Sequence, residues 1–131
     1  MSKTDDFILA NIPLFADVPT KRRPELRRLL TSVKTAQRKE VVRQGDFGLE
    51  FLVLASGSAT VVKDDEVVAE LQAGDFFGES AMLTNNRRNA SVIVAPNSEL
   101  FASSRIEFRT MLQNFPEIAK RLELAAATRN N

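Results

Sequence analysis

The spacing of apolar residues changes along the chain and divides it into helical outer parts and a β-rich centre. In the N-terminal part, residues 1–35, apolar positions recur at steps of three and four: Leu26, Leu29, Leu30 and Val33. Such a stripe is typical of an amphipathic helix, so helices are predicted for this part. Thr20 as the cap and Pro24 as the first helical residue both satisfy the rules for a helix start, and the sequence leaves the two open.

The central part, residues 36–103, predicts β-structure. Short runs rich in Val, Leu and Phe are interrupted by turn residues every eight to twelve positions. Turn signals at this spacing are typical of antiparallel sandwiches and barrels. The predicted strands cover residues 40–44, 49–55, 59–63, 66–71, 90–95 and 98–102.

The C-terminal part, residues 104–131, returns to a helical pattern. Ser104 and Glu107 have the spacing of a capping box, and Pro116 opens a second helical stretch. The apolar residues expected to pack are Ile106, Met111, Leu112 and Phe115 in the first helix and Ile118, Leu122 and Leu124 in the second. The predicted fold class is therefore mainly β with flanking helices. A chain of 131 residues predicts a single domain, residues 1–131, because a domain averages about 150 residues.

The composition excludes several kinds of chemistry. The sequence has no His and no Cys, which removes nucleophile–His pairs, the usual zinc ligands and disulfides. An enzyme acting on phosphodiesters would need a general base or a metal, and the sequence indicates neither, so no catalytic residue, metal or cofactor is predicted.

The sequence also gives no sign of a membrane or export segment. The longest apolar run, Phe51 to Ala55, is far shorter than the roughly 20 residues that cross a bilayer. The N-terminus has neither the charge nor the length of a signal peptide. We therefore expect a cytoplasmic protein without a membrane segment.

Charge is distributed unevenly although the net charge of the chain is only +1. Residues 20–43 carry nine basic and two acidic side chains, whereas residues 44–86 carry one basic and eight acidic side chains. The basic segment is either a solvated face or a docking surface for an acidic partner. Nucleic acid is an unlikely partner, since no aromatic residue lies between Thr20 and Arg43 to stack on bases.

Residues 74–91 break the strand pattern and are too long for a hairpin turn. Gly74 and Gly78 permit positive φ, and the stretch from Glu79 to Leu83 is long enough for one helical turn with free N–H groups. Arg88 could add a two-pronged contact to a phosphate held there. These groups suit a sugar phosphate diester. An ordinary structural ion pair between Glu79 and Arg88 is the alternative that the spacing leaves open.

The same residues carry a resemblance to a known family. Phe77 to Leu83, followed at the same distance by Arg88 to Ser91, resembles the phosphate-binding cassette of the cyclic nucleotide-binding domain family. The likeness continues upstream in residues 41–48 and 51–58 and covers roughly Ile12 to Leu124. It implies a jelly-roll β-barrel, flanked by N-terminal helices and a C-terminal helix pair, with its cassette at residues 74–91.

The resemblance also implies a ligand and roles for individual residues. Glu79 would accept the ribose 2′-hydroxyl and Arg88 would pair with the cyclic phosphate, while Gly78 lets the sugar approach the main chain. Further backbone N–H groups would come from Ser80, Ala81 and either Asn89 or Ala90. The implied function is a non-catalytic receptor for cAMP or cGMP that signals through its C-terminal helices to a protein effector.

Two departures from the family pattern bear on ligand choice. Arg87 stands where the family often has Pro, and Asn89 where it commonly has Ala, Ser or Thr. Adenine is favoured over guanine only on family frequency. Since no aromatic residue follows Phe115, a cap over the purine would come from the apolar residues of the last helix, Ile118, Leu122 or Leu124, or be absent. The alternative function is a barrel without ligand that binds a protein or nucleic acid through the basic 20–43 face.

Overall fold

Two four-stranded antiparallel sheets form the centre of the structure, a computed structural model that describes residues 8–84 and 86–129. The strands are β1 (Thr31–Thr35), β2 (Lys39–Val42), β3 (Glu50–Ser56), β4 (Ser58–Lys63), β5 (Glu66–Gln72), β6 (Phe76–Phe77), β7 (Ser91–Val94) and β8 (Ser98–Ser104). One sheet has the order β1-β8-β3-β6 and the other β2-β7-β4-β5. Within the described residues no ladder joins the two sheets into a closed barrel. The predicted mainly β class is confirmed.

Helices flank the sheets at both ends of the chain. Residues 8–10 are helical. The further α-helices are α1 (Arg23–Arg27), α2 (Glu79–Thr84), α3 (Arg105–Asn114) and α4 (Pro116–Arg129), and two 3-10 turns cover Pro13–Phe15 and Thr20–Arg22. The capping box is confirmed, because the Ser104 hydroxyl accepts from the Glu107 N–H and the Glu107 carboxylate accepts from the Ser104 N–H. In residues 8–84 and 86–129, no helix combines the length and apolar character needed to cross a membrane.

Alternation along the strands gives each sheet two different faces, and the apolar side chains sort into two clusters accordingly. Leu52, Leu54 and Leu100 belong to the cluster between the sheets. Phe51 and Phe101, on the opposite face of the same strands, pack with apolar residues of both the N-terminal and the C-terminal helical segments. The helices therefore cover the outer face of the β1-β8-β3-β6 sheet.

The predicted helix around Leu26 to Val33 is wrong in its second half. Helix α1 ends at Arg27, and Val33 lies in strand β1, where it pairs with Leu100. The division into N-terminal helices up to residue 35 is corrected to this extent. Both predicted starts have a counterpart, since a 3-10 turn begins at Thr20 and Pro24 lies in the first turn of α1.

Two apolar residues of the C-terminal helices do not pack as predicted. Ile106 is 76% exposed and Leu124 is 62% exposed, whereas Met111, Ile118 and Leu122 are fully buried. Ile118 and Leu122 lie in the core beneath the helices, and none of the three residues predicted to cap a purine lines the cavity described below. Of the two alternatives that the sequence left open, a purine cap from these three residues or no cap, the structure does not support the first.

Candidate functional site

A cavity of about 560 Å³ lies against the connection between β5 and β7, within the usual range of about 300 to 1,000 Å³ for ligand sites. Its wall includes all seven residues that the sequence predicted for the site: Gly78, Glu79, Ser80, Ala81, Arg88, Asn89 and Ala90. Apolar residues of five strands complete it, among them Val42, Val61, Leu71, Phe77 and Val92. The cavity therefore has a polar side and an apolar side.

Arg88 is the buried cation of the cavity, with only 8% of its surface exposed. Its Nη1 donates to the carbonyl oxygen of Gly78 at 3.1 Å, and its Nη2 donates to the carbonyl oxygen of Glu50 at 2.6 Å. The Arg88 backbone is fixed as well, because its N–H donates to Asp46 and its carbonyl accepts from Gly45. The guanidinium is thus held in place by neutral carbonyl groups, and its positive charge faces no hydrogen-bonded carboxylate among its described partners.

Glycines make room for this guanidinium on two sides. Gly78 has φ of +90°, and a Cβ there would lie 2.6 Å from Arg88 Nη1 and 3.1 Å from the Glu50 carbonyl oxygen. A Cβ at Gly48 would lie 3.4 Å from Arg88 Cζ and 2.8 Å from the Ala81 Cβ. Only residues without a Cβ fit at these two positions, since both the left-handed backbone of Gly78 and the close approach exclude a side chain.

Glu79 begins helix α2 and is 2% exposed. A carboxylate in the first helical turn is favoured by the helix dipole. The first N–H groups of that turn, including those of Ser80 and Ala81, have no acceptor within the helix.

The electrostatic surroundings of Arg88 act on its pKa in both directions. Burial lowers the pKa of the guanidinium, the negative charges of Glu50 and Glu79 raise it, and the positive charge of Arg105 lowers it. The site therefore holds one buried cation and one buried carboxylate.

The remaining predicted residues lie nearer the solvent. Asn89 is exposed and Ala90 is partly buried, and both follow Arg88 in the cavity wall. Arg87 is also exposed, but its guanidinium stacks over the Phe47 ring at 4.2 Å and its Nη1 donates to the Gly45 carbonyl oxygen at 2.9 Å. Asn85 of the predicted cassette lies outside the described residues.

Several groups that surround Arg88 or line the cavity were not predicted from the sequence. Gly48 and the Glu50 carbonyl complete the surroundings of Arg88, and the apolar wall draws on strands that lie far from the cassette in sequence. Gly48 carried a usable signal, since it belongs to the residues 41–48 on which the resemblance rested. The Glu50 carbonyl carried none, because any residue type supplies a backbone carbonyl.

The basic 20–43 segment is divided among several elements, and part of its charge is used inside the molecule. Arg22 bonds Glu25 at 2.6 Å and lies over the Phe115 ring at 4.4 Å. Arg27 donates to the Leu30 carbonyl, and Arg43 pairs with Glu40 at 2.9 Å. These contacts account for three of the nine basic side chains of the segment.

A sequence model of the cyclic nucleotide-binding domain matches residues 33–115, which include both strands around Arg88 and the whole cassette. The chain belongs to the cyclic nucleotide-binding domain family. The match runs from within β1 to the residue after α3, and it includes every residue that lines the cavity.

Relatives of this domain occur in larger proteins. The chain is 30% identical over 122 residues to a cyclic nucleotide-gated potassium channel of Rhizobium etli, covering 93% of this chain and 34% of the channel. It is 32% identical over 108 residues to a cAMP-dependent protein kinase regulatory subunit of Schizosaccharomyces pombe, covering 82% of this chain and 26% of the subunit. The chain thus spans about a quarter to a third of the length of these relatives.

Solved structures show the same fold. The regulatory subunit of a cAMP-independent protein kinase A from Trypanosoma brucei superposes with a TM-score of 0.84 at 23% identity, covering 98% of this chain and 46% of that one. At this identity the likeness concerns the fold alone. Because that relative is described as cAMP-independent, the fold does not by itself identify a ligand.

Proposed function

We propose that this domain is a non-catalytic receptor for a 3′,5′-cyclic nucleotide. The observation that carries the proposal is the buried Arg88, whose guanidinium is held at the cavity by two carbonyl groups. The described hydrogen bonds of this guanidinium go to neutral carbonyl groups rather than to a carboxylate, and a cyclic phosphate would supply one negative charge that bonds it directly. Arg88 is thus positioned in advance for the phosphate, which reduces the ordering that binding requires.

Glu79 and the neighbouring backbone complete the proposed contacts. Glu79 accepts a hydrogen bond from the ribose 2′-hydroxyl, an interaction that a buried carboxylate can make without a second cation. The phosphate oxygens accept from the N–H groups of Ser80 and Ala81 and from that of Asn89 or Ala90. Gly78 lets the sugar lie close to the main chain, since it has no side chain to hold it away.

The apolar wall receives the purine, and we propose cAMP as the ligand rather than cGMP. The two relatives matched by sequence support a cyclic nucleotide, since one is described as a cyclic nucleotide-gated channel and the other as a cAMP-dependent kinase subunit. The exposed Asn89 amide can both donate and accept hydrogen bonds. It therefore suits either purine, and direct competition between cAMP and cGMP decides between them.

The receptor would act on a protein effector rather than catalyse a reaction. Its family relatives include regulatory subunits, and helices α3 and α4 follow directly after the barrel strands, in a position to report occupancy. A ligand shifts such an equilibrium only by its different affinity for the two arrangements. The effector, the single-domain organisation and a cytoplasmic location stay predictions.

A competition experiment tests the proposal. Fluorescein-labelled cAMP is bound to the protein and displaced with cAMP, cGMP or AMP. We expect displacement by cAMP at lower concentration than by cGMP, and weak displacement by AMP, whose phosphate is not closed into a ring. Arg38→Ala, which removes an exposed arginine of the basic face outside the cavity, serves as the control for Arg88→Ala. Equal binding by these two variants, or no binding of any nucleotide, would contradict the proposal.

A further inference from the structure

Arg105, the first residue of helix α3, contacts two segments that build the cavity. Its Nη1 donates to the Gly48 carbonyl oxygen and lies 3.6 Å from the Met82 sulfur. Gly48 belongs to the segment before β3, and Met82 belongs to helix α2, which begins with Glu79. One guanidinium thus joins the first turn of α3 to the segment that packs against Arg88 and to the helix that begins with Glu79.

Gly48 lies between Arg105 and Arg88 and contacts both guanidinium groups. Gly48 presents its Cα to the Arg88 guanidinium, where a Cβ would lie 3.4 Å from Cζ, and its carbonyl to Arg105. Two residues further on, the Glu50 carbonyl accepts from Arg88 Nη2, and Glu50 pairs with Ser104, the residue before Arg105. Arg105 therefore anchors the segment against which the Arg88 guanidinium rests.

Helix physics gives no separate reason for an arginine at this place. A cation in the first helical turn opposes the helix dipole, whereas the neighbouring Ser104 and Glu107 satisfy the ordinary capping preferences. Arg109, one turn later, lines the same small groove as Arg105 and is exposed. The structure gives Arg109 no hydrogen bond or ion pair among the described residues, so it serves as a matched control.

We propose that Arg105 is a positioning residue for the phosphate site, which holds Gly48 and Met82 in place so that Arg88 and Glu79 face the ligand. It touches no ligand itself and acts through Arg88. The inference rests on the proposed function, because it concerns the affinity for the same cyclic nucleotide. It also connects α3 directly to the residues beside the cavity.

The test is a double-mutant cycle read by binding of fluorescein-labelled cAMP. We expect Arg105→Met to weaken binding about tenfold, within the common range for coupled sites. Arg109→Met should change it less than about twofold, as surface substitutions usually do. In an Arg88→Lys background the shorter side chain no longer bonds both carbonyl oxygens. Arg105→Met should then weaken nucleotide binding much less, because the effects of residues that act through one another are not additive.

Each outcome decides the inference. Equal nucleotide affinities of Arg105→Met and Arg109→Met would overturn the inference and leave the proposed function intact. The same holds if Arg105→Met lowers the affinity as much in the Arg88→Lys background as in the parent protein. If the parent protein itself binds no cyclic nucleotide, both proposals fall together. Should Arg105→Met not unfold cooperatively, Arg105→Lys, which keeps the charge but lacks the planar fork, enters the same cycle. Faster amide exchange of residues 45–50 in the Arg105 variant alone would support positioning.

Discussion

Individual residues of this site are constrained by space as well as by charge, and two glycines separate these effects. Gly78 and Gly45 have nearly the same φ, +90° and +91°, but a Cβ at Gly78 would collide with Arg88 whereas a Cβ at Gly45 meets nothing within 4 Å. Gly45→Ala should therefore cost only backbone strain, about 1 to 2 kcal/mol of unfolding free energy. Gly78→Ala carries the same strain and also displaces the guanidinium.

We predict that Gly78→Ala abolishes most cyclic nucleotide binding while Gly45→Ala retains it. Urea unfolding measures the strain of each variant, and titration with labelled cAMP measures its affinity. A similar loss of affinity in both variants would mean that backbone strain, rather than the displacement of Arg88, disturbs the site.

Arg88 and Glu79 differ in the expected cost of their removal. Arg88→Ala leaves a buried phosphate without its cation. It should weaken the binding free energy of the nucleotide by about 3 to 5 kcal/mol, which raises Kd several hundredfold or more. Glu79→Ala removes one charged hydrogen bond and should cost about 1.5 to 3 kcal/mol. Calorimetric titration measures both values, and unchanged affinity in both variants would show that the ligand binds elsewhere.

The side chains of the site could be predicted from sequence, but their backbone partners could not. The resemblance of residues 77–83 and 88–91 to the phosphate-binding cassette gave Glu79 and Arg88, because a local motif keeps both within ten residues of each other. The Glu50 carbonyl bonds Arg88 across 38 residues and Arg105 reaches Gly48 across 57 residues. Such contacts depend on strand register, which the sequence pattern around each residue does not contain.

At the scale of elements, strand β1 shows how packing overrides periodicity. Leu26, Leu29, Leu30 and Val33 fit one helical face, yet Thr31–Thr35 forms a strand along β8. The β-branched residues of this segment favour a strand, and its pairing with β8 satisfies the backbone groups along the edge of that strand. Strand β6 was not predicted for another reason. It has only two residues, which pair with Leu52 and Val53, and two residues are too few to show an alternating pattern.

The capping box provides a prediction for helix α3. Ser104→Ala removes the acceptor for the Glu107 N–H and should lower the unfolding free energy by about 1 kcal/mol. Ser104→Asp keeps a capping oxygen and serves as the control. Urea unfolding of both variants measures the difference, and equal destabilisation would contradict a stabilising role of the cap.

At the scale of the whole molecule, the uneven charge distribution separates the two functions considered for this chain. A cyclic nucleotide enclosed beside Arg88 carries one charge, so its affinity should fall only a few-fold between about 50 and 200 mM salt. Docking of a highly charged partner on the basic 20–43 face would weaken on the order of a thousandfold over this range. Repeating the titration with labelled cAMP at both salt concentrations tests the first expectation, and a steep loss of cAMP affinity would contradict an enclosed site beside Arg88.

Isothermal titration of the unmodified protein with cAMP tests the central claim most directly, with Arg88→Ala and Arg38→Ala titrated in parallel. The account predicts saturable heat with one nucleotide per chain, retained in Arg38→Ala and lost at the same concentrations in Arg88→Ala. Ligand at about 100 times Kd should also stabilise the fold by about 2.7 kcal/mol. Absence of heat at millimolar cAMP and cGMP, or equal heat in Arg88→Ala, would contradict the account.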